Sequence, residues 1–391
     1  MTTIAILGAG VGGISTAIAL KQKGFDVEVY ERDSTTTEIG AGIVCWPNAS
    51  FVLSELGILD DIEKVSGQPT RMQRVSSTGE LLGALDMLKL NGHMGYPSLS
   101  VLRRDLMRIL VSRLTSMGVA IKYGHTLQRL ESSTDHRATA YFDNGFSIRP
   151  DILVGADGRM NSIARQFINH DNRPVYQGFL NWIGVFESDE PVFEEIAVSD
   201  CWGVGERFGI VPINANRAYW AGGIAASEIG PRNPDEYKAE LQNVFSGWPD
   251  PVSRIIAETP VDRINKIYVH DHDPVDSWHR DNVLMIGDAA HAPLPTSGQG
   301  ACQALEDAWH LANLMEQDIA DLNELFDTFT KLRQAKTTGI TLGARLFASS
   351  LFNIDANYCQ QRNESSKTTD FDAAVAGMAK GWASGLPIGS Q

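Results

Sequence analysis

The stretch "TIAILGAGVGGISTAIAL", Thr3 to Leu20, decides the fold. A β-branched apolar run ends at Gly8, and apolar residues then recur at helical spacing until Gly24. The first part reads as a buried strand and the second as a helix stopped by glycine. "FDVEVYERD" follows as a second strand, so the chain opens on a strand–helix–strand unit, where a doubly wound α/β sheet begins. Gly8-x-Gly10-x-x-Gly13 occupies the first turn. Gly8 permits the tight turn, Gly10 lets backbone approach a pyrophosphate, and Gly13 lets helix and strand pack closely. The helix N-terminus offers unpaired N–H groups to the phosphates. Glu31, at the end of the second strand, is placed to accept from ribose hydroxyls.

Outward from this unit, "LRRDLMRILVSRLTSMG" reads as an amphipathic helix. Short strands follow at "VAIKYG", at "TAYFDNG" with an Asn144-Gly145 turn, and at "DILVGADG". From Arg173 to Asp273 strand-like runs rich in Trp and Tyr dominate, which suggests a mixed-sheet substrate domain inserted into the first domain. "NVLMIGD" returns to the buried-strand pattern, and the chain from Gly300 onward is mostly helical, with polar "NESSKTTD" (363–370) expected as a loop. The expected organisation is residues 1–172 as the first part of the dinucleotide-binding domain, with a small substrate-domain segment near 70–100. Residues 173–273 form the substrate sheet, 274–345 the second part of the first domain, and 346–391 a helical tail.

One stretch goes beyond a simple dinucleotide fold. In "MIGDAAHAPLPTSGQGACQALEDA" (285–308) an apolar strand ends at Asp288, and a Pro/Gly loop containing Pro295 leads into a helix. An NAD dehydrogenase needs no second phosphate-facing loop so late in the chain. FAD is longer, and its ribityl and flavin ends lie far from the adenosine. Asp288 can accept from a ribityl hydroxyl. The N–H groups of Gly298, Gln299, Gly300 and Ala301 can face an anion or a flavin carbonyl, and the helix adds its dipole. Between the two loops, "GADGRMNSIAR" (155–165) places Asp157 at a strand end before glycine, where it can hold a neighbouring loop.

Composition excludes other classes. With 33 Lys and Arg against 48 Asp and Glu, the formal net charge of −15 argues against a nucleic-acid partner. No apolar window is long enough to span a membrane, and no signal peptide is expected. The four cysteines, Cys45, Cys201, Cys302 and Cys359, form no C-x-x-C pair and read as reduced thiols of a cytoplasmic protein. His93, His270 and His272 lack a third ligand at known spacing, so no metal is expected. His291 reads as structural, and Trp182, Trp202, Trp220 and Trp248 as core or as a stacking wall.

"GAGVGG" (Gly8 to Gly13, with Gly12 its fifth residue) together with Glu31, "GADGRMNSIAR" and "MIGDAAHAPLPTSGQG…EDAWHLA" resemble, in order and separation, the three fingerprints of class A flavoprotein monooxygenases. The resemblance covers residues 3–345. It implies a Rossmann-like FAD-binding domain without a separate nicotinamide domain, NADH or NADPH as transient reductant and O2 as cosubstrate. Within that family, "AGIVCWPNA" (containing Gly42), "YQGFLNWIG", "VGERFGIVPI" and "NRAYWAGG" are similar to the FAD-dependent urate hydroxylase branch. The family's FAD contacts then fall on Val11, Glu31, Arg32, Ile43, Arg103, Leu127, Asp288 and Gly298 to Cys302. Its substrate contacts fall on Asn181, Arg207 and Tyr219. One position departs: Thr296 follows Pro295 where the urate branch carries an acid. The implied reaction is hydroxylation of a small planar aromatic or N-heterocyclic substrate by a flavin C4a-hydroperoxide. A reductase or dehydrogenase on the same scaffold, without oxygen transfer, is the alternative. Neither the nicotinamide preference nor the oligomeric state is encoded legibly.

Overall fold

The computed structural model describes residues 2–35, 42–317 and 321–389. Ala41, the first residue of "AGIVCWPNA", and the last two residues of the tail lie outside them. Six strands form the first sheet, in the order His279–Arg280, Val283–Met285, Ile152–Gly155, Thr3–Leu7, Asp26–Tyr30 and Ile121–Lys122. All but the first run parallel. Ile4, Ile6, Leu153, Val154, Val283 and Leu284 are almost wholly buried, as a sheet covered on both faces requires. Each such side chain contributes about 1.5–3 kcal/mol on burial. Helix Val11–Gln22 packs on this sheet and against helix Gly300–Met315.

Seven strands form the second sheet, in the order Ile264–Asp271, Val175–Glu187, Arg217–Ala225, Glu206–Asn214, Ala197–Trp202, Arg71–Ser76 and Leu81–Asp86. The two strands from Arg71 to Asp86 thus join those drawn from 175–271. Alternation gives this sheet two characters. Trp182, Phe186, Phe208 and Trp220 face a core closed by Tyr237, Leu241, Phe245 and Trp248. Asn181, Arg207 and Tyr219 lie on the other face.

Two expectations about the C-terminal part do not match the structure. Leu322–Leu351 is one continuous helix, so the expected break after residue 345 falls inside it. Helix Ala356–Lys367 takes in most of "NESSKTTD". Asp355 caps it by accepting from the N–H groups of Asn357 and Tyr358, and Lys367 pairs with Glu364 one turn back. These local supports outweigh the polar composition. A last helix, Phe371–Ala383, is capped by Asp370. Among the described residues, no helix is long and apolar enough to cross a membrane.

Candidate cofactor and substrate site

The three fingerprint loops leave adjacent parallel strands. Gly8–Gly13 follows Thr3–Leu7, Gly155–Gly158 follows Ile152–Gly155, and Gly287–Asp288 follows Val283–Met285. All three therefore emerge on one edge, at the carboxyl ends of the strands, where doubly wound sheets bind their ligands. The two glycine-rich loops also touch a common side chain. A Cβ added at Gly12 or at Gly287 would lie 3.2 or 3.3 Å from the Ala304 methyl.

The glycines of the first loop answer to different demands. At Gly8, where φ is +112°, a Cβ would sit 2.3 Å from the Ala156 carbonyl oxygen, and at Gly13 it would sit 1.9 Å from that of Gly8. Both are required by the protein itself. At Gly10 a Cβ would meet nothing within 4 Å. The chain has no internal need for glycine there, but a ligand approaching the backbone does. The first intrahelical bond runs from the Ile14 N–H to the Gly10 carbonyl at 3.0 Å, which leaves the N–H groups of Val11, Gly12 and Gly13 ahead of it. Glu31 accepts from the Ala9 N–H at 2.6 Å and from the Asp33 N–H at 3.1 Å. A cavity of about 470 Å³ opens here, lined by Gly8, Gly10, Glu31, Arg32, Arg103, Leu127 and Asp157 among others. Residues from five separate segments are thus brought together here.

Asp157 lines this cavity, yet both its oxygens are engaged elsewhere. Oδ1 accepts from the Ser162 hydroxyl at 2.6 Å, and Oδ2 from the N–H groups of Ile163 and Ala164 at 2.7 and 3.1 Å. It satisfies the first two N–H groups of helix Ile163–Asn169, which Ser162 caps, and burial raises its pKa. That helix brings Arg165 to the third loop, where it donates to the carbonyls of Ala289 and Ala290 at 3.1 and 3.2 Å. Arg165 ties the second fingerprint to the third.

At the other end, Asp288 is half-buried, and its carboxylate has no hydrogen bond among the described residues. It remains free for a ligand hydroxyl. The expectation that four consecutive N–H groups face the ligand needs correction. The Gly298 N–H donates to the Pro295 carbonyl at 3.0 Å, and the Gln299 N–H to the Ser297 hydroxyl at 3.1 Å. A tight turn at Pro295–Ser297 consumes both. Gly300 and Ala301, in the first turn of helix Gly300–Met315, keep theirs. The Cys302 thiol, its pKa raised by burial, contacts the Val44 carbonyl at 3.5 Å and joins the loop to the two-stranded ladder of Gly42–Cys45 with Leu99–Leu102, which carries Ile43.

Tyr219 comes from the seven-stranded sheet and packs on the strand that holds this loop. A Cβ at Gly42 would lie 1.9 Å from its ring, so the tyrosine by itself demands glycine there. Burial pushes the pKa of its hydroxyl well above the usual phenol range. Asn181 is in register with Gly223, and Gly223 with Arg207, so the three expected substrate residues share a face. Arg207 is not free: its Nε donates to buried Asp200 at 2.6 Å. Of the four tryptophans, only Trp202 shares that face, as the cross-strand partner of Arg207; Trp182, Trp220 and Trp248 lie in the opposite core. Among the described residues no group of three metal-ligating side chains occurs, and His272 is bonded to the Arg159 carbonyl at 2.6 Å.

The main element that sequence reasoning missed is a buried charge cluster under the flavin-end loop. Asp307 accepts from the Gly287 N–H at 2.8 Å, pairs with His291 Nε2 at 2.6 Å, and accepts from Arg333 Nε at 2.7 Å. Arg333 also reaches Glu306 at 2.5 Å, and Lys336 reaches both Glu306 oxygens at 2.9 Å. Asn48 adds a bond to Glu306 at 2.7 Å. Burial would raise both carboxylates, but His291 and Arg333 hold Asp307, and Arg333 and Lys336 hold Glu306, below the usual range. Nothing in the pair "ED" signals this, because acids on a helix are ordinarily solvated.

A doubly wound sheet with a glycine turn, an acid after its second strand and a second loop with open N–H groups on the same edge defines a dinucleotide-binding protein. The chain matches the family described as FAD binding domain over residues 1–341, and it belongs to that family, that of the flavoprotein monooxygenases its sequence resembles. It is 33% identical over 322 residues to an FAD-dependent urate hydroxylase of Klebsiella pneumoniae, covering 81% of this chain and 82% of that protein. It is 30% identical over 343 residues to an aurachin C monooxygenase/isomerase of Stigmatella aurantiaca, covering 88% of each. A 6-hydroxynicotinate 3-monooxygenase of Pseudomonas fluorescens is 30% identical over 334 residues, covering 82% of this chain and 84% of that one. The crystal structure of Klebsiella pneumoniae HpxO complexed with FAD and uric acid superposes with a TM-score of 0.89 at 28% identity, covering 98% of this chain and 97% of that one.

Proposed function

We propose that this FAD-dependent monooxygenase uses NADH or NADPH and O2 to hydroxylate a small planar aromatic or N-heterocyclic compound. The observation that carries the reading is the approach of one face of the substrate sheet to the flavin-end loop. Tyr219 packs on Gly42, in the strand whose Val44 carbonyl the Cys302 thiol contacts, and Asn181 and Arg207 share its face. The names of the relatives, hydroxylases of urate and 6-hydroxynicotinate, support the substrate class.

Bound FAD supplies the electron transfer and the activation of O2. The protein supplies the rest. The N–H groups of Val11, Gly12 and Gly13 would hold the pyrophosphate, Glu31 a ribose, and Asp288 the ribityl chain. The N–H groups of Gly300 and Ala301, with the helix behind them, would stabilise negative charge at the pyrimidine end. Arg207, oriented by Asp200, presents a guanidinium to a polar or anionic substrate. Tyr219 stays protonated at physiological pH and donates to a substrate oxygen. Asn181 offers a neutral amide beside it. Thr296 gives its hydroxyl to the Ala344 carbonyl at 3.2 Å and brings no carboxylate, which argues for a ring other than urate.

The test is reconstitution with FAD, then a screen of urate, hydroxybenzoates and hydroxynicotinates for stimulated NAD(P)H oxidation. The expected result is one compound whose product gains a single oxygen from ¹⁸O₂. Substrate-stimulated oxidation of NAD(P)H with no oxygen in any product would instead establish a reductase.

A further inference from the structure

The family match ends at residue 341, and the segment beyond it returns to the flavin end by a route the mechanism above does not use. Phe371 fills the space over Gly83, where a Cβ would lie 2.2 Å from its ring, and Asp372 accepts from Lys89 at 2.7 Å. These contacts fix one end of the segment to the substrate sheet and the helix that follows it. Farther on, the Trp382 ring lies 5.2 Å from that of Trp46 at an interplanar angle of 37°. Trp46 in turn donates its indole N–H to the Gly298 carbonyl at 3.0 Å. At the same place, Lys336 donates to the carbonyls of Trp382 and Ser384 at 2.6 and 3.0 Å while holding Glu306. Leu386 and Ile388 are then buried in the main core.

Two connections therefore run from this segment to helix Gly300–Met315. One passes through Trp46 to the peptide that precedes the helix. The other passes through Lys336 to Glu306 in its second turn. The first is the more consequential. Gly298 stands at φ +62°; the N–H of its peptide with Gln299 is bonded to the Ser297 hydroxyl, and its carbonyl takes the Cys302 thiol at 3.8 Å as well as the Trp46 indole. Trp46 holds it, and Trp382 packs on Trp46. The orientation of that peptide sets where the next N–H groups, those of Gly300 and Ala301, point.

We infer that Phe371–Ile388 is a strap that sets the flavin-end loop, with Trp382 its positioning residue acting through Trp46. The strap acts on one end of the cofactor groove only, so its removal weakens FAD without weakening a ligand confined to the adenosine end. The experiment compares FAD and ADP binding to the full-length protein and to Trp382→Ala, Trp382→Phe and Trp46→Phe. Trp382→Ala is expected to raise the FAD dissociation constant about tenfold, given the size of an aromatic pair, and to leave that for ADP within about twofold. Trp382→Phe keeps a ring and is expected to recover most of the affinity. Trp46→Phe keeps the stacking but removes the bond to Gly298, and is expected to show the same selective loss and a shifted visible spectrum of bound flavin. It decides the matter should Trp382→Ala fail to fold. Equal weakening of FAD and ADP would mean general loosening and would overturn the inference, as would unchanged FAD binding in Trp46→Phe.

Discussion

The loops proposed to take the adenosine end and the flavin end of the cofactor stand two strands apart on the same sheet edge, yet they are built by opposite means. At the adenosine end the shape is steric. Gly8 lets the first loop close on the Ala156 backbone of the second fingerprint, and Gly13 lets the helix close on Gly8, so apart from that Ala156 contact the device lies within residues 3 to 31. At the flavin end the shape is electrostatic. The Gly287 turn is held by a carboxylate, which is held by an arginine from a helix that begins at Leu322. The first cradle is set mainly by local sequence and closed by one contact from Ala156, whereas the second exists only once the chain has folded around it.

The contrast is broken most forcefully at Arg333. Its guanidinium is wholly buried against Glu306 and Asp307. In Arg333→Met, Lys336 and His291 are left to balance two buried acids. Removing one partner of such a cluster costs about 3–5 kcal/mol. The apo-protein is expected to lose stability by that amount in urea unfolding, while ADP binding, where folded protein remains, is spared. A loss below about 1 kcal/mol would show that the cluster does not carry the flavin end.

This difference also explains what the sequence disclosed. Gly8, Gly10, Gly13 and Glu31 were legible because glycine has few uses at a strand-to-helix turn and the spacing is short. Asp288 was legible from its place at the end of an apolar strand. Arg333 was not, because a lone arginine on an amphipathic helix is ordinarily exposed. The engagement of the Gly298 and Gln299 N–H groups was hidden for a related reason, since it depends on the turn that Pro295 starts. In the substrate sheet, alternation assigns Arg207 a face, but the register Asn181–Gly223–Arg207 is a cross-strand fact that no single strand contains.

Next in size is an effect of pH. Burial, with Arg333 adding to it, pushes His310 from 6.5 down to about 4. Its ring lies beside Gly385 of the C-terminal segment. A histidine depressed in the folded state binds fewer protons there than in the unfolded chain between pH 6.5 and 4. The stability it allows is therefore complete above pH 6.5 and declines as pH falls through that window, by about 3 kcal/mol. In His310→Gln the slope of unfolding free energy against pH over this range is expected to flatten. An identical slope in variant and parent would place the acid sensitivity elsewhere.

A matched pair of glycine changes sharpens the adenosine side. In Gly13→Ala the new methyl meets the Gly8 carbonyl, a backbone atom that cannot move aside, so both stability and FAD binding should fall, the first by about 1–3 kcal/mol. In Gly10→Ala nothing in the protein is touched. The apo-protein should melt as the parent does, while FAD and ADP bind at least about tenfold more weakly because the methyl occupies ligand space. Unimpaired ADP binding in Gly10→Ala would remove the pyrophosphate from this loop.

The smallest effect is the most diagnostic, because it compares one carboxylate from each end. Glu31 already accepts the Ala9 N–H at 2.6 Å, so Glu31→Gln exchanges a charge-assisted bond for a neutral one inside the protein. Asp288 has no such partner among the described residues. The apo-form of Glu31→Gln is expected to lose about 1 kcal/mol, and that of Asp288→Asn nothing measurable. With FAD present the order reverses. Asp288→Asn gives up a carboxylate the flavin end leaves open to a ligand hydroxyl, so it should show the larger drop in FAD-induced stabilisation. ADP, which does not reach Asp288, should stabilise that variant as well as it does the parent. If ADP loses its effect on Asp288→Asn, the two ends are not separate devices, and the division drawn between steric and electrostatic construction fails with them.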